Sequence, residues 1–253
     1  MKTINTQEEI PNYFYIFTSR NEQAFLNKCE NHNIKLRSGI LMSSGFGNVI
    51  CLNEEQRKKF LTGDLIYAPF IPNETTNIGN ISPFMFRLIK RYNVEYNLEK
   101  FRYEYYKNYP SRFSCIYAFG SLEDCLDFSN GKKNWNLDSL KKFKLVFDDN
   151  FNKYIKVIKA NFKIIGLLEN YPVEILTETT QNSIYEHYWS GKKELNLPRI
   201  KIADDVIIKD SKCGNIAEYL IEGILEEVTF TKEEQNQLKK LKSKSKLTKE
   251  RNE

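Results

Sequence analysis

Histidine and cysteine are scarce in this sequence, and their scarcity narrows the chemistry. There are two histidines, His32 and His187, and five cysteines, Cys29, Cys51, Cys115, Cys125 and Cys213, with no Cys-x-x-Cys pair. A structural zinc site takes about four ligands at close, characteristic spacing, so no metal site is expected. The odd cysteine count speaks for reduced, mostly buried thiols. A histidine-based catalytic triad has few places to sit. Long apolar runs are missing as well. The longest, such as Ile164–Leu168, are far too short to cross a bilayer. The first ten residues are polar, include Glu8 and Glu9, and hold no apolar stretch of signal-peptide length. The sequence therefore reads as cytoplasmic, without membrane contact.

The common nucleotide and hydrolase signatures are also absent. No GxxxxGK[ST] loop occurs, and no GxGxxG follows a strand. Gly45-Phe46-Gly47 is a fragment that lacks its third glycine. Neither GxSxG nor HExxH is present.

Apolar and aromatic material is plentiful. Hydrophobic residues make up 41% and aromatics 13% of 253 residues, enough for a folded body with a sizeable core. The net charge is +5, but it is uneven. Residues 231–253 hold eight Lys/Arg and four Glu, a net of +4, which leaves the other 230 residues near +1. The body is thus no strongly basic nucleic-acid binder. The composition suggests one domain over 1–230 and a basic, disordered tail over 231–253. The lysine-rich part, Lys239 to Arg251, is a candidate phosphate-seeking arm for RNA or DNA.

Periodicity and turn chemistry place the elements. Tyr13–Thr18 reads as a strand. Ser19 or Asn21 starts a helix, and Glu54–Leu61 is a second helical stretch. Pro69–Asn80 is loop, and Phe84–Phe101 returns to helical spacing. Phe113–Phe119 is a strand, followed by a capping box that opens at Ser121. Gly131–Asn136 is loop. Tyr154–Ala160 and Phe162–Ile165 read as strands. A helix runs from Thr179 to Trp189 and stops at Gly191. Ile200–Ile208 and Glu218–Phe230 read as late strands. Elements interleave without regular βαβ units, which argues α+β.

Three blocks stand out. They are Tyr13-Phe14-Tyr15-Ile16-Phe17-Thr18, then Tyr109 to Phe119 running into Ser121-Leu122-Glu123-Asp124, and finally Tyr185 to Gly191 with Glu218 to Val228. In this order they resemble the ADP-ribosyltransferase-fold superfamily. The likeness is closer to a poorly characterised bacterial and phage branch related to PARP-like and DarT-like enzymes. It covers most of residues 12–230 and is thin between the blocks.

That resemblance implies an ADP-ribosyltransferase-like split β-sheet core with flanking helices. It implies NAD as co-substrate, no metal, and ADP-ribose transfer to a macromolecular acceptor, protein or nucleic acid. A toxin or a phage–host conflict factor fits the branch. In the family a first-strand His, with Thr two residues on, binds the NAD ribose and amide. Here Tyr15 takes the first place and Thr18 falls one residue late. Ser114 to Phe119 matches the strand whose tyrosine stacks on nicotinamide, which gives Ser114 and Tyr117. Arg112 fits a planar fork for the pyrophosphate. Glu218 fits the catalytic carboxylate. Glu222 competes, because strand periodicity puts 218, 220 and 222 on one face. A carboxylate there stabilises the positive charge that develops on the ribose as nicotinamide leaves.

Each residue also has a plainer explanation: Tyr117 a core tyrosine, Arg112 a solvated arginine, Glu218 a surface carboxylate. Trp189 and His187 read as structural. Two other functions remain open. One is a nucleic-acid-binding protein using the tail and the aromatic-rich stretch 84–106. The other is a catalytically inactive interaction module on the same fold.

Overall fold

The computed structural model describes residues 3–4, 10–18, 35–38, 55, 58–59, 67–68, 71–72, 83–130, 135–147, 155–170, 177–191, 195–196, 200–203, 206–208, 212–213 and 216–250. The helix expected from Ser19 or Asn21, and most of Glu54–Leu61 and Pro69–Asn80, lie outside them. The chain divides into two compact units where the sequence suggested one domain. The first takes residues 1–55, 108–158 and 218–253. The second takes 56–107 and 159–217. Composition carries no mark of such a division, because no linker-like stretch separates the segments.

The first unit is built on β1 (Thr3–Ile4), β2 (Phe14–Phe17) and β3 (Lys35–Arg37). The second opens with a short ribbon, β4 (Tyr67–Ala68) and β5 (Ile71–Pro72), and helix α1 (Pro83–Tyr105). The chain then returns to the first unit with β6 (Ile116–Phe119), α2 (Leu122–Ser129), β7 (Leu140–Val146) and the start of β8 (Lys156–Asn161). In the second unit follow α3 (Phe162–Asn170), α4 (Glu178–Trp189) and β9 (Leu195–Asn196). Then come β10 (Ile200–Ala203), β11 (Val206–Ile208) and β12 (Lys212–Cys213). Last are β13 (Ala217–Glu222), β14 (Ile224–Val228) and α5 (Lys232–Glu250).

The main sheet has eight strands in the order β1-β8-β13-β6-β2-β7-β14-β3. The pairs β13–β6, β6–β2, β2–β7, β7–β14 and β14–β3 are antiparallel, and β1–β8 is parallel. Its two halves touch lightly: β6 meets β2 through the pair Tyr15↔Phe119, whereas β2 pairs with β7 over four positions. The second link is covalent. β13 runs into β14 through Gly223 alone, so one bent strand feeds β6 in one half and β7 in the other. Ser38 locks the bend by exchanging hydrogen bonds with Gly223, 3.0 Å to its carbonyl and 2.9 Å from its N–H. A Cβ at Gly223 would press on Leu145 at 3.3 Å.

Three expectations need correction. Phe162–Ile165 is the start of helix α3, not a strand. Asn161 caps it by accepting from the Lys163 N–H at 3.1 Å, and the buried Ile164, Ile165 and Leu168 follow helical spacing. A short apolar run suits either element, so the cap decides. Ile200–Ile208 is a hairpin in which Ile200 pairs with Ile208. Of the expected disordered tail 231–253, Lys232–Glu250 is helix. Thr231 and Glu234 form a reciprocal capping box. The Glu234 N–H donates to Thr231 Oγ1 at 3.2 Å, and the Thr231 N–H donates to Glu234 Oε2 at 2.8 Å. Leu238 and Leu241 are buried one and two turns later.

In the second unit α4 ends where the sequence placed its stop. Gly191 has φ +65°, and a Cβ there would meet the Lys159 carbonyl oxygen at 2.8 Å, so glycine is required twice over. Trp189 is core, with its indole N–H on the Leu98 carbonyl at 3.0 Å. The aromatics of 84–106 that are described as buried, Tyr96 and Phe101, serve the core; Phe101 packs on Tyr185. No helix among the described residues is long and apolar enough to cross a membrane.

Candidate functional site

A short turn precedes β6 and carries the arginine. The Ser111 carbonyl accepts from Ser114 N–H at 3.1 Å and Cys115 N–H at 2.8 Å, while Ser111 Oγ accepts from Phe113 N–H at 3.2 Å. These bonds fix Arg112 at the entry to the strand. Tyr117 then reaches back, its hydroxyl donating to the Arg112 carbonyl at 2.7 Å. The Arg112 guanidinium lies over the Tyr117 ring, 5.0 Å from its centroid. A planar cation on an aromatic face is a favourable placement that holds both groups.

On the neighbouring strand, Glu218 pairs with Phe119 and Leu220 with Tyr117. Glu218 Oε1 stands 3.5 Å from Arg112 Nη1, with side chains 6% and 3% exposed. Both residues are therefore interior groups, neither solvated nor on the surface. Isolated burial of either charge would cost several kcal/mol, on the order of the desolvation penalty for a single ion, and each faces the opposite charge of the other. The separation is longer than the roughly 2.7–2.9 Å of a tight charge-assisted bond, so this contact is an ion pair more than a closed hydrogen bond.

Glu222 lies on the same face and is clamped. Its Oε1 accepts from the Ser111 N–H at 2.9 Å and Ser114 Oγ at 3.4 Å, and its Oε2 pairs with Lys156 Nζ at 3.0 Å. It fastens the arginine-bearing turn to β13 and β8. Geometry thus separates the two carboxylates: Glu222 is engaged by the turn through Oε1 and by Lys156 through Oε2, and Glu218 faces the arginine.

Five of the seven residues singled out in the sequence, Arg112, Ser114, Tyr117, Glu218 and Glu222, come together here. Tyr15 and Thr18 make their contacts elsewhere. Tyr15 stands opposite Phe119, as Glu218 does, so the three form a row across β2, β6 and β13. Its hydroxyl, however, donates to Glu234 Oε1 at 3.1 Å, and its ring stacks on Phe230. Thr18 closes the end of β2, donating from N–H and Oγ1 to the Ser139 carbonyl at 2.8 and 2.7 Å.

Two residues that the sequence did not single out complete this region. Lys142, on β7, is buried and pairs with Glu234 at 2.8 Å, its ammonium 3.6 Å from the Tyr13 ring centroid. Glu234 therefore binds α5 to β2 and β7 at once. Burial by itself pushes the Glu234 carboxyl up. The hydrogen bonds from Lys142, the Thr231 N–H and Tyr15, with the Lys142 charge, outweigh it and hold the carboxyl below its ordinary value. Burial, then the Glu234 carboxylate, push the Tyr15 phenol far above its ordinary value, so it is a fixed donor. The readable signal for Glu234 was Thr-x-x-Glu before Leu238, the same form that marked Ser121.

Cysteine chemistry has little room among the described thiols. Burial pushes Cys115 and Cys125 well above the usual thiol range, Cys115 despite the Arg112 charge beside it. Among the described residues no group of three or more His, Cys, Asp or Glu is placed to hold a metal ion.

No curated protein matches this chain. Residues 1–210, which include Tyr15, Thr18, Arg112, Ser114 and Tyr117 and stop short of β13 and α5, match the family described as "Protein of unknown function (DUF2441)", and the chain belongs to that family.

Proposed function

We propose that this protein is an NAD-dependent ADP-ribosyltransferase that modifies a macromolecular acceptor. The observation that carries the reading is the buried Arg112–Glu218 pair beside Tyr117, on the strand row that ends at Tyr15. A light seam between two sheet halves, spanned by one bent strand, agrees with the split sheet that the resemblance implies.

On this reading Glu218 supplies negative charge near the ribose 2′-hydroxyl. It stabilises the cationic character of the ribose as its bond to nicotinamide breaks. Tyr117 presents one ring face to Arg112 and offers the other to the flat nicotinamide. Arg112 balances Glu218 before substrate arrives and turns toward the pyrophosphate when it does. Glu222 and Ser114 hold the turn that aims Arg112. Tyr15 and Thr18 flank the site from β2.

The test incubates labelled NAD with the protein and several cell lysates, and reads nicotinamide release and label transfer. Wild type should release nicotinamide above background, and Glu218→Gln should lose about 100-fold of that rate, in the range expected for removing one group that stabilises transition-state charge. Folded wild-type protein that releases none in any lysate ends the transferase reading. Equal rates in wild type and Glu218→Gln move the carboxylate role elsewhere.

A second reading, a catalytically inactive interaction module, is favoured by one observation. The Tyr15 hydroxyl, which the resemblance assigns to NAD, is already committed to Glu234. A folded protein that neither cleaves NAD nor gains thermal stability from it would agree with this reading.

A further inference from the structure

Helix α5 carries a dense run of positive charge, and the proposed transferase chemistry does not use it. Its residues 239–249 contain six lysines and no acid. On a helix this run spans about 15 Å. Lys240 and Lys244, and Lys242 and Lys246, stand four apart, a spacing at which like charges repel by a few tenths of a kcal/mol per pair. The first turn instead carries Glu233 and Glu234, so positive charge is concentrated beyond Leu238.

The helix that bears this charge is fastened at its other end. The capping box starts it, Glu234 ties it to Tyr15 and Lys142, and the Gln237 amide donates to Glu123 on α2 at 2.7 Å. Leu238 and Leu241 are buried. Lys239 and Lys240 are exposed, while Lys242 pairs with Asp138. Lys239, Lys240 and Lys242 are thus carried on a regular helix and not on a loose arm.

We propose that the 239–249 face of α5 docks the sugar–phosphate backbone of a nucleic acid strand, without regard to sequence. Charge complementarity selects a polyanion with closely spaced charges, and counterion release supplies the driving force. The side-chain types select phosphate over base. Residues 239–249 contain Lys, Leu, Ser and Thr, with no Arg, Asn or Gln to fork a base edge. A bilayer is the poorer fit. An interfacial helix needs an apolar face to insert, and Leu238 and Leu241 are turned into the protein. This docking is independent of NAD cleavage, so its success or failure is read separately from the transferase reading.

The test is fluorescence anisotropy of a labelled mixed-sequence single-stranded oligonucleotide with the full chain, between about 50 and 200 mM salt. The same strand as a duplex and phosphatidylserine vesicles serve as parallel probes. The variant is Lys239→Gln, Lys240→Gln, Lys244→Gln and Lys246→Gln together. It keeps helix propensity close to that of lysine and leaves Lys242 on Asp138. Wild type should bind with strong salt dependence. The variant should lose at least about tenfold in affinity and flatten the log–log salt slope by about 0.7 per lysine removed. If circular dichroism shows the fourfold variant misfolded, Lys239→Gln with Lys240→Gln carries the same test at about half the slope change. Unchanged affinity and slope in the folded variant overturn the proposal. So does binding of wild type to vesicles with none to either nucleic acid.

Discussion

Two parts of the main sheet use the same kinds of charge to different effect. Toward β13 and β6, Arg112 and Glu218 are almost fully enclosed. Toward β14, β7 and β3, Lys144 and Lys35 share Glu226, and Lys141 meets Glu227, with side chains between about a quarter and two-thirds exposed. The ladder contains the shorter contact, 2.9 Å for Lys141–Glu227 against 3.5 Å for Arg112–Glu218. Distance is therefore a poor guide to weight. Exposed pairs contribute about 0–1 kcal/mol each, whereas breaking a buried pair costs about 3–5 kcal/mol, because the partner stays buried and uncompensated. The β13–β6 pair is the candidate site because it is enclosed beside Tyr117, whereas the Lys141, Lys144 and Lys35 pairs lie toward solvent.

The sharpest way to break this contrast is Arg112→Met. It should destabilise the protein by about 3 kcal/mol in urea unfolding. Pairing it with Glu218→Leu should recover much of the loss, since the buried carboxylate that faced Arg112 is then gone. A loss under about 1 kcal/mol for Arg112→Met alone would put the pair in the same class as the ladder.

Glu222→Gln comes next. The amide oxygen still accepts from Ser111, but the Lys156 ion pair is lost. About 1 kcal/mol should go, and NAD cleavage should fall less than in Glu218→Gln. A larger activity loss in Glu222→Gln would reverse the roles of the two carboxylates.

Glu234 is intermediate and is best read against pH. Its folded carboxyl is held below the ordinary 4.5, so its contribution is present above that value and fades as pH falls through the lower folded one. Glu234→Gln should lower stability at neutral pH and flatten the acid limb of a Tm-against-pH curve. Parallel acid limbs in wild type and variant would dissociate Glu234 from that limb. The smallest effect is expected from Glu227→Gln in the ladder, about 0.5 kcal/mol or less and weaker still at high salt.

Strong local signals made parts of this fold legible. The β-branched and aromatic run at Phe14–Phe17, the capping box at Ser121 and the stop at Gly191 all lie where short-range chemistry dictates. β7 was not legible, because Leu140–Val146 alternates too little and holds three lysines. Lys142 becomes a central-strand residue only through Glu234, 92 positions away. The α5 helix was hidden by its composition, although its cap was in plain view. At the site, strand periodicity grouped Glu218 with Glu222, and the family resemblance pointed to Arg112, Ser114 and Tyr117. Their different jobs depend on Lys156 and the Ser111 turn, which only the sheet order brings near. Tyr15 was found by position, while its engagement by α5 is a tertiary fact that no local pattern encodes.

Gly223 has a mechanical consequence. Glu222 is the last residue before the bend, and Ser38 grips the bend from beside β3, at the opposite margin of the sheet. The carboxylates are therefore strung on a line that is tied off one residue beyond Glu222, by a residue that belongs to neither β13 nor β6. Slack introduced at Ser38, by Ser38→Ala for example, should be felt first at Glu222 and then at the turn it clamps, without any change to a residue of the site itself.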